Sequence, residues 1–385
     1  MTKHFNKPDY LGGNIVNLMQ SISRAREGNI GLYPNLCNLD ISGLSRSRNL
    51  VLLIIDGLGY NYLCSKPNSF LYQHLHSKIT TVTPPTTAAA VSSFLTGLAP
   101  QQHGLTGWFT YFHEIDEVLT VLPYTLRNSQ QAPNQAVSEL INLPSFFDTL
   151  ETKTYSVMPR FLKDSVFNQM LTGNADLLTY TTLENCLSEI YHVCKVPSKK
   201  YIYAYWSQFD ALAHEHGINS PEVESHFHML DRHIANFAHQ LKSNHTQLLI
   251  CSDHGFIDSP IERRLTLNNY PQLMSCLRTP LCGEPRLAMC YIQDDTHEIF
   301  SKLCQKHLGH AATLYRGEKL IEQNFFGLGE THPALRHRVG DYVLVMEENY
   351  TLTQQLANEA YPNLVGYHGG LSESEMYVPL ILVEL

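Results

Sequence analysis

The sequence has few charged residues and no long run of charge of one sign. Charged residues make up 16% of the 385 residues, well below the roughly 25% of an average protein. The formal charge is −9 and no run of Lys and Arg is longer than two residues. This excludes a basic nucleic-acid groove and a polybasic patch for a membrane surface. No apolar run reaches the ~18 residues of a membrane span, so none is predicted.

Secretory and disulfide signals are also missing. The segment MTKHFNKPDYLGGN contains no apolar core of a signal peptide, so the expected location is the cytoplasm. Secretion by a route without a cleavable signal stays open. The nine cysteines are an odd number and form no C-x-x-C pair, which predicts reduced, buried thiols. Histidine occurs 20 times, and this abundance is compatible with metal chemistry.

Three apolar runs predict the strands of a parallel sheet. Residues 49–55, 201–206 and 247–251 are almost continuously apolar, as in strands that are buried on both faces. Helix-like segments lie between them, such as 221–241, where apolar residues recur every three or four positions. This alternation predicts an α/β fold, namely a doubly wound, mostly parallel sheet with helices on both faces.

The pattern changes in the segment 259–350. Its predicted strands are short, and a predicted helix covers 295–307. The chain then returns to a buried strand at 377–385. We therefore expect a core formed by residues 1–258 and 351–385, with residues 259–350 as a small inserted α+β cap subdomain.

Side chains that ligate metals follow the predicted strands or lie in tight loops. Two of them, Asp210 and His214, are four residues apart and share one face of a helical turn, although such a pair alone is more often a surface pair. An Asp after a strand is often only a helix cap, and Asp-His-Gly is also ordinary turn chemistry. Together, the carboxylates and imidazoles suit Zn²⁺, and also Mn²⁺ or Fe. The set is Asp56, Asp210, His214, Asp253, His254 and His368.

The segment 80–104 contains no charged residue but many hydroxyl groups. Thr86 and Thr87 stand just before three alanines, beginning with Ala88, at which a helix could open. A hydroxyl at a helix start lies among unpaired backbone N–H groups and the positive end of the helix dipole. It suits an N-cap, and equally a nucleophile toward a phosphate held by those N–H groups. The residues alone leave both functions open.

Five motifs, in order along the chain, resemble those of the alkaline phosphatase superfamily. They are IIDGLG, PTTAAAVSSFLTGLAPQQHG, FDALAH, SDHGF and YHGG. Within the superfamily, the chain resembles the type I phosphodiesterase/nucleotide pyrophosphatase branch. This resemblance implies two metal sites: the first held by Asp210, His214 and His368, the second by Asp56, Asp253, His254 and the nucleophile.

The resemblance also implies a nucleophile and a reaction. An ungapped count from the TGL motif puts the nucleophile on Thr87, with Thr86 as the neighbouring alternative. Two divalent cations, with Zn²⁺ expected and Mn²⁺ as the alternative, would activate Thr87 to form a phospho-threonine. The implied activity is hydrolysis of a phosphodiester or phosphoanhydride in a small molecule, for which a nucleotide is the candidate.

The phosphate-binding positions depart from the family pattern. Nucleotide pyrophosphatases usually carry an Asn soon after the nucleophile, but residues 88–90 are alanine, so the backbone N–H of Ala88 is the expected donor. The Arg that clamps a monoester in classical alkaline phosphatases is also missing beside Thr87. Trp108 and Tyr111 are candidates for stacking a nucleobase, although aromatic residues mostly serve burial.

Other functions stay open on the sequence alone. The same site would serve a phosphomonoesterase or a phosphonate hydrolase that cleaves a C–P bond. A binding or effector protein on an inactive scaffold would engage a partner through residues 259–350. All six ligand positions are intact, which favours an enzyme, and nothing in the sequence indicates an oligomeric state.

Overall fold

The computed structural model describes residues 5–29, 31–242, 245–357, 359 and 364–385. Residues 1–4, which belong to the segment considered for a signal peptide, lie outside the described part. The strands in chain order are β1 (Asn49–Ile55), β2 (Leu75–Thr80), β3 (Phe109–Phe112), β4 (Glu117–Thr120), β5 (Thr125–Leu126), β6 (Lys153–Pro159), β7 (Asp176–Tyr180), β8 (Lys200–Trp206), β9 (Thr246–Cys251), β10 (Ile257–Asp258), β11 (Arg264–Thr266), β12 (Cys282–Glu284), β13 (Leu287–Cys290), β14 (Ala312–Arg316), β15 (Tyr342–Met346), β16 (Thr351–Thr353), β17 (Gly366–Tyr367) and β18 (Tyr377–Glu384). The α-helices are α1 (Ile15–Ala25), α2 (Ile41–Arg46), α3 (Tyr60–Cys64), α4 (Phe70–Gln73), α5 (Thr87–Thr96), α6 (Pro100–His103), α7 (Val137–Leu140), α8 (Val166–Thr172), α9 (Leu183–Lys195), α10 (Gln208–His216), α11 (Pro221–Gln240), α12 (Pro271–Met274), α13 (His297–Leu308), α14 (Gly317–Glu322), α15 (Leu335–Val339) and α16 (Glu373–Met376).

Seven strands form a central sheet in the order β2–β18–β9–β1–β8–β6–β7. β1 pairs in parallel with β8 and β9, and β6 pairs in parallel with β8 and β7. β18 is antiparallel to both of its neighbours, β9 and β2. The predicted, mostly parallel sheet is therefore confirmed, and the three apolar runs are its adjacent strands β8, β1 and β9.

The two faces of β1 belong to different hydrophobic cores. All residues of β1 are buried, and successive side chains of a strand point to opposite faces. Leu52 packs in a cluster that contains residues of α1 and α5. Leu53 packs in a second cluster, with residues of α9 and α11. Helices thus cover both faces of the sheet, which confirms the predicted double winding.

Helix α11 forms where the sequence predicts it. Ser220 is its N-cap and accepts a hydrogen bond from the backbone N–H of Val223, while Pro221 occupies the first turn. Both choices favour a helix start, because the hydroxyl pairs an N–H without an intrahelical partner and Pro already has the helical φ. The apolar residues at spacings of three and four, including Phe227 and Leu230, are buried against the sheet.

A second sheet also has seven strands, in the order β14–β15–β13–β12–β3–β4–β5, and its pairs are antiparallel. β12 to β15 lie within the segment 259–350, whereas β3 to β5 come from residues 109–126, which the sequence pattern assigned to the core. Arg286, between β12 and β13, forms a buried ion pair of 2.8 Å with Glu375 of α16. This pair connects the second sheet to the segment that precedes β18.

Two expectations from the sequence concern the state of the cysteines and the presence of membrane-spanning helices. All nine cysteines are free thiols, and seven of them are buried. Among the described helices, none combines the length with the apolar character that is required to cross a membrane.

Candidate metal centre

Three neighbouring strands deliver candidate ligands to one edge of the central sheet. Asp56 follows β1, Asp253 and His254 follow β9, and Asp210 lies in the first turn of α10, directly after β8. The carboxyl ends of adjacent parallel strands meet at the same edge, where α/β proteins place their ligand sites. The sheet topology therefore gathers four of the six predicted ligands.

Two glycines hold these loops together. Gly57 has φ of 78° and donates its backbone N–H to Asp253 at 3.1 Å. A Cβ atom on Gly255 would overlap with the carbonyl oxygen of Ser374. Glycine suits both positions, because it tolerates positive φ and close backbone approach. The loops after β1 and β9 are consequently fixed relative to each other.

His254 lies at the centre of the cluster. The distances from its Nε2 atom are 3.3 Å to Asp56, 3.4 Å to Asp253 and 3.8 Å to Asp210. Ligand atoms of Asp56, Asp253 and His254 lie within 4.8 Å of one another, and so do those of Asp210, His254 and His368. These are two overlapping groups, each of a size that could hold one ion.

The remaining histidines complete the set. Nε2 of His214 lies 3.5 Å from Oδ1 of Asp210, and its ring centroid lies 5.0 Å from that of His368. The ring of His368 stacks on the ring of His254 with centroids 3.7 Å apart. The structure thus brings all six predicted ligands together. The tight group around Asp210, however, consists of Asp210, His254 and His368. His214 contacts Asp210 but is not a member of this group.

All three imidazoles use the same nitrogen to contact the backbone. The Nδ1 atom of each ring contacts a backbone carbonyl oxygen, which orients the ring and favours the tautomer with the proton on Nδ1. Nε2 is then left as a lone-pair donor, as in histidines that ligate metals. The contacts are His214 with Gly366 at 2.9 Å, His254 with Gly255 at 3.2 Å and His368 with Pro85 at 3.2 Å.

Each of the three aspartates has one buried oxygen without a hydrogen bond among the described residues. These are Oδ1 of Asp56, Oδ1 of Asp210 and Oδ2 of Asp253. Burial raises the pKa of Asp210 to about 7 and the pKa of Asp253 to about 8. Burial, followed by repulsion from Asp210, also raises the pKa of Asp56 well above its usual range. Unpaired carboxylate oxygens of this kind are costly unless a cation joins them.

Burial acts on the histidines in the opposite direction. It lowers the pKa of His214 to about 4 and lowers the pKa of His368 well below its usual range, with smaller contributions from the neighbouring histidines. These rings are therefore neutral at physiological pH, which is the form that ligates a metal. Neutral imidazoles beside unpaired carboxylate oxygens fit a divalent cation of the zinc type.

Thr87, rather than Thr86, faces the cluster. Thr87 is the first residue of α5, and its hydroxyl oxygen lies 3.2 Å from Nε2 of His254. Thr86 is the N-cap residue, but its side chain forms no capping hydrogen bond and faces Glu284 instead. The N–H of Ala88 is in the first turn, where backbone donors have no acceptor within the helix.

A large cavity opens beside the cluster. Its volume is about 1710 Å³, and its lining includes Asp56, Thr87, Asp210 and Trp108. Tyr111, the other candidate for stacking, is not brought to this cavity. It is buried in the second sheet, where its ring contacts Tyr291 and its hydroxyl donates to Asp116 at 2.6 Å.

Sequence reasoning missed two side chains near the cluster. The hydroxyl of Tyr205 donates a hydrogen bond to Oδ2 of Asp56. The buried carboxyl of Glu284 accepts the backbone N–H of Trp108 at 2.6 Å, and burial raises its pKa to about 7. The sequence did contain a signal for Tyr205. Tyr occurs at every second position of β8, and such residues lie on one face of a strand. Glu284 carries no local signal, since it arrives from the second sheet.

The fold and the site define a class of protein, an α/β protein with a candidate metal centre at the carboxyl ends of its strands. Residues 50–371 match the sequence profile of the type I phosphodiesterase / nucleotide pyrophosphatase family. This match covers most of the chain, so the chain belongs to this family of metal-dependent hydrolases. No protein of curated function matches the chain in sequence.

Solved structures share the fold at low sequence identity. Murine ectonucleotide pyrophosphatase/phosphodiesterase 5 is 16% identical with a TM-score of 0.64, covering 86% of this chain and 87% of that one. An inactive variant of the murine protein, bound to AMP, superposes equally well. Phosphonoacetate hydrolase from Sinorhizobium meliloti, in complex with phosphonoformate, is 16% identical with a TM-score of 0.61, covering 87% and 90% of the two chains. The alkaline-phosphatase-like fold expected from the motifs is thereby confirmed.

Proposed function

We propose that this protein hydrolyses a phosphodiester or phosphoanhydride of a small molecule, using two divalent cations and a phospho-threonine on Thr87. One observation carries the proposal. The hydroxyl of Thr87 lies 3.2 Å from Nε2 of His254, which belongs to both tight ligand groups, and each of the three aspartates in these groups has a buried oxygen without a hydrogen bond among the described residues. This arrangement suits cations of the zinc type, with manganese as the alternative. The cytoplasm remains our proposed location.

The ligands divide into two groups in this proposal. Asp210, His214 and His368 would hold one cation, while Asp56, Asp253, His254 and Thr87 would hold the other. His254 belongs to both tight groups, so the two sets of ligands adjoin each other. Paired cations of this kind lower the pKa of a coordinated hydroxyl and neutralise charge on the phosphoryl oxygens.

The chain supplies the remaining steps. The oxygen of Thr87 attacks phosphorus in line with the ester oxygen that leaves. One P–O bond forms as the other breaks, the proton of the Thr87 hydroxyl passes to solvent, and the leaving oxygen takes up a proton to depart as an alcohol. Water then hydrolyses the phospho-threonine, which still carries the second ester arm, releases that arm as a phosphomonoester and restores the hydroxyl. The N–H of Ala88 and the positive end of the α5 dipole favour the anionic phosphoryl group beside Thr87.

The first experiment compares two adjacent threonines. With metals loaded, we expect Thr87→Ala to lower kcat/KM toward an aryl phosphodiester by at least about 10³-fold, as for loss of a nucleophile. Thr86→Ala is the matched control, and we expect it to keep kcat/KM within about tenfold. Mass spectrometry of acid-quenched wild-type enzyme should find, on Thr87, the phosphoryl group that still carries the second ester arm of the substrate. Full turnover by the Thr87→Ala variant, with its metals in place, would reject the mechanism.

A substrate panel separates the alternatives on the same site. We expect the aryl diester to have a higher kcat/KM than the aryl monoester, because the Arg clamp of monoesterases is missing beside Thr87. Preferred cleavage of a phosphonate would instead establish a phosphonate hydrolase. A protein that holds fewer than one metal ion per chain and turns over none of the three would support the binding or effector function.

A further inference from the structure

The cavity beside the metal centre is larger than a nucleotide requires. Its volume of about 1710 Å³ exceeds the ~300–1,000 Å³ of typical small-molecule sites. Its lining includes residues between positions 122 and 139, residues between positions 158 and 168, and Tyr180 and Tyr203 of the central sheet. The cavity therefore extends from Thr87 over a surface that the phosphoryl group itself does not occupy.

The lining of this cavity offers little to a second anionic group. Among the described residues that line it, the one cationic side chain is Arg160, which is exposed at the rim. Two exposed acidic side chains, Glu139 and Asp164, also line it. A polyphosphate or a second nucleotide phosphate would face more negative than positive charge here, and unpaired anions are disfavoured at a partly dry surface.

Most of the surface that lines the cavity is instead apolar. The described residues expose eight large hydrophobic side chains, and three of these line the cavity: Phe161 at 74%, Val166 at 45% and Trp108 at 37% exposed. Met158, Leu122 and Val137 extend the apolar surface inward. Exposed apolar side chains that cluster on one concave surface mark a binding site for apolar groups.

A single buried hydroxyl adds a polar contact. Tyr203 lines the cavity, is 2% exposed, and its hydroxyl has no hydrogen-bond partner among the described residues. Buried hydroxyls without a partner are rare in folded proteins. A ligand oxygen in the cavity would satisfy this donor.

We propose that one ester arm of the substrate is an uncharged, mainly apolar group that occupies this cavity. The substrate is then a mixed phosphodiester with an alkyl or aryl arm, rather than a nucleoside polyphosphate. This inference rests on the proposed diesterase function and specifies its substrate class.

The kinetic test varies one ester arm at a constant leaving group. The substrates are 4-nitrophenyl diesters whose second arm is methyl, hexyl, phenyl or thymidine through its 5′ oxygen. Each buried methylene strengthens binding by up to about fourfold, so we expect kcat/KM for the hexyl diester to exceed that of the methyl diester at least tenfold. The thymidine diester should fall below the hexyl diester. Equal values for methyl and hexyl, or the highest value for thymidine, would overturn the inference and leave the diesterase function intact.

A binding test avoids catalysis. The chain contains two Trp residues, Trp108 and Trp206, and both line the cavity, so intrinsic fluorescence reports its occupancy. In metal-loaded Thr87→Ala protein we expect dihexyl phosphate to bind at least tenfold more tightly than dimethyl phosphate. Equal dissociation constants for the two ligands would overturn the inference even if no diester is hydrolysed.

Two exposed side chains supply a matched pair of variants for that titration. Phe161→Ser should reduce the preference for dihexyl over dimethyl phosphate at least threefold. Ile261 is similarly exposed, at 77%, but is not part of the cavity lining, and Ile261→Ser should keep the full preference. Loss of the preference in both variants, or in neither, would contradict the assignment. Absence of diester hydrolysis alongside a retained preference would reject the proposed function alone.

Discussion

The hydroxyl oxygen of Thr87 lies 3.2 Å from Nε2 of His254, the imidazole that belongs to both tight ligand groups. A cation bound by His254 would therefore also be within reach of Thr87. The reactivity of the hydroxyl and the stability of the buried aspartates then depend on the same ions, and this dependence can be measured separately from turnover.

Metal removal should make stability fall with rising pH. In the metal-free protein, the pKa values of Asp210 and Asp253 are raised to about 7 and about 8. The folded state therefore holds more protons than the unfolded state, so stability is lost as pH rises through these values. We expect the Tm of chelator-treated protein to fall between pH 6.5 and pH 8.5.

The lower limit of this pH range is set by His214, and the control is the protein with its metal restored. His214 has its pKa lowered to about 4, so its opposite contribution is gained as pH rises toward about 6.5 and is nearly complete above that pH. With Zn²⁺ restored, the aspartates are ionised and the fall in Tm should disappear. A metal-free Tm that rises across the window in calorimetry would contradict the prediction.

Tyr205→Phe should weaken metal binding. The hydroxyl of Tyr205 donates to Asp56, and loss of a partner that orients a metal ligand typically costs ~10–100-fold in metal affinity. Tyr201→Phe is the matched control, because Tyr201 is a buried residue of the same strand whose hydroxyl has no partner among the described residues. Competition with a zinc chelator should show weaker binding for the Tyr205 variant alone. Equal zinc affinity in both variants would remove Tyr205 from the site.

Glu284→Gln should stabilise the protein at alkaline pH only. Burial raises the pKa of Glu284 to about 7, so ionising this carboxyl costs folding free energy as pH rises from about 4.5 to about 7. Gln keeps a carbonyl oxygen for the N–H of Trp108 without the charge. We expect the free energy of unfolding in urea, with metals loaded, to increase by about 1–3 kcal/mol at pH 8 and to change little at pH 4.5. An equal gain at both pH values would show that packing, not charge, is responsible.

Glu375→Ala should destabilise the protein strongly. Glu375 and Arg286 form an ion pair with exposed fractions of 0% and 1%, and removing one partner of a buried pair costs about 3–5 kcal/mol. Glu298→Ala breaks the exposed pair with Lys302 and should change the free energy of unfolding much less, because exposed ion pairs contribute little to stability. Glu375 also accepts the N–H of Gly370 at 2.7 Å, so the variant should weaken metal binding through His368. Urea denaturation that gives equal losses for the two variants would contradict this account.

Much of the core could be predicted because its signals are local. A run of apolar residues such as Asn49–Ile55 must be buried on both faces, and the residue that follows, Asp56, must then lie at the sheet edge. The spacing of Asp210 and His214 fixes a shared face of one helical turn. The resemblance to the family then implied which of these ligands hold the first metal and which hold the second.

The strand partners within the second sheet could not be predicted from the sequence pattern alone. Phe109–Phe112 pairs with Cys282–Glu284, more than 150 residues further along the chain. Strand pairing over such a separation depends largely on backbone hydrogen bonds, which nearly all residue types can form. The pattern of side chains in 109–126 therefore says little about which distant strand is its partner.

The sequence by itself determined the sheet type, the six candidate ligands and the two threonines, because hydrophobic burial and motif spacing are properties of short segments. Tertiary structure alone decided which threonine faces His254, which phenol supports Asp56, and that a cavity opens beside them. These relationships join side chains from distant segments, and their geometry exists only when both sheets are assembled. The apolar lining of that cavity and its scarcity of cationic side chains, on which our proposed substrate class rests, likewise come from residues that no single motif contains.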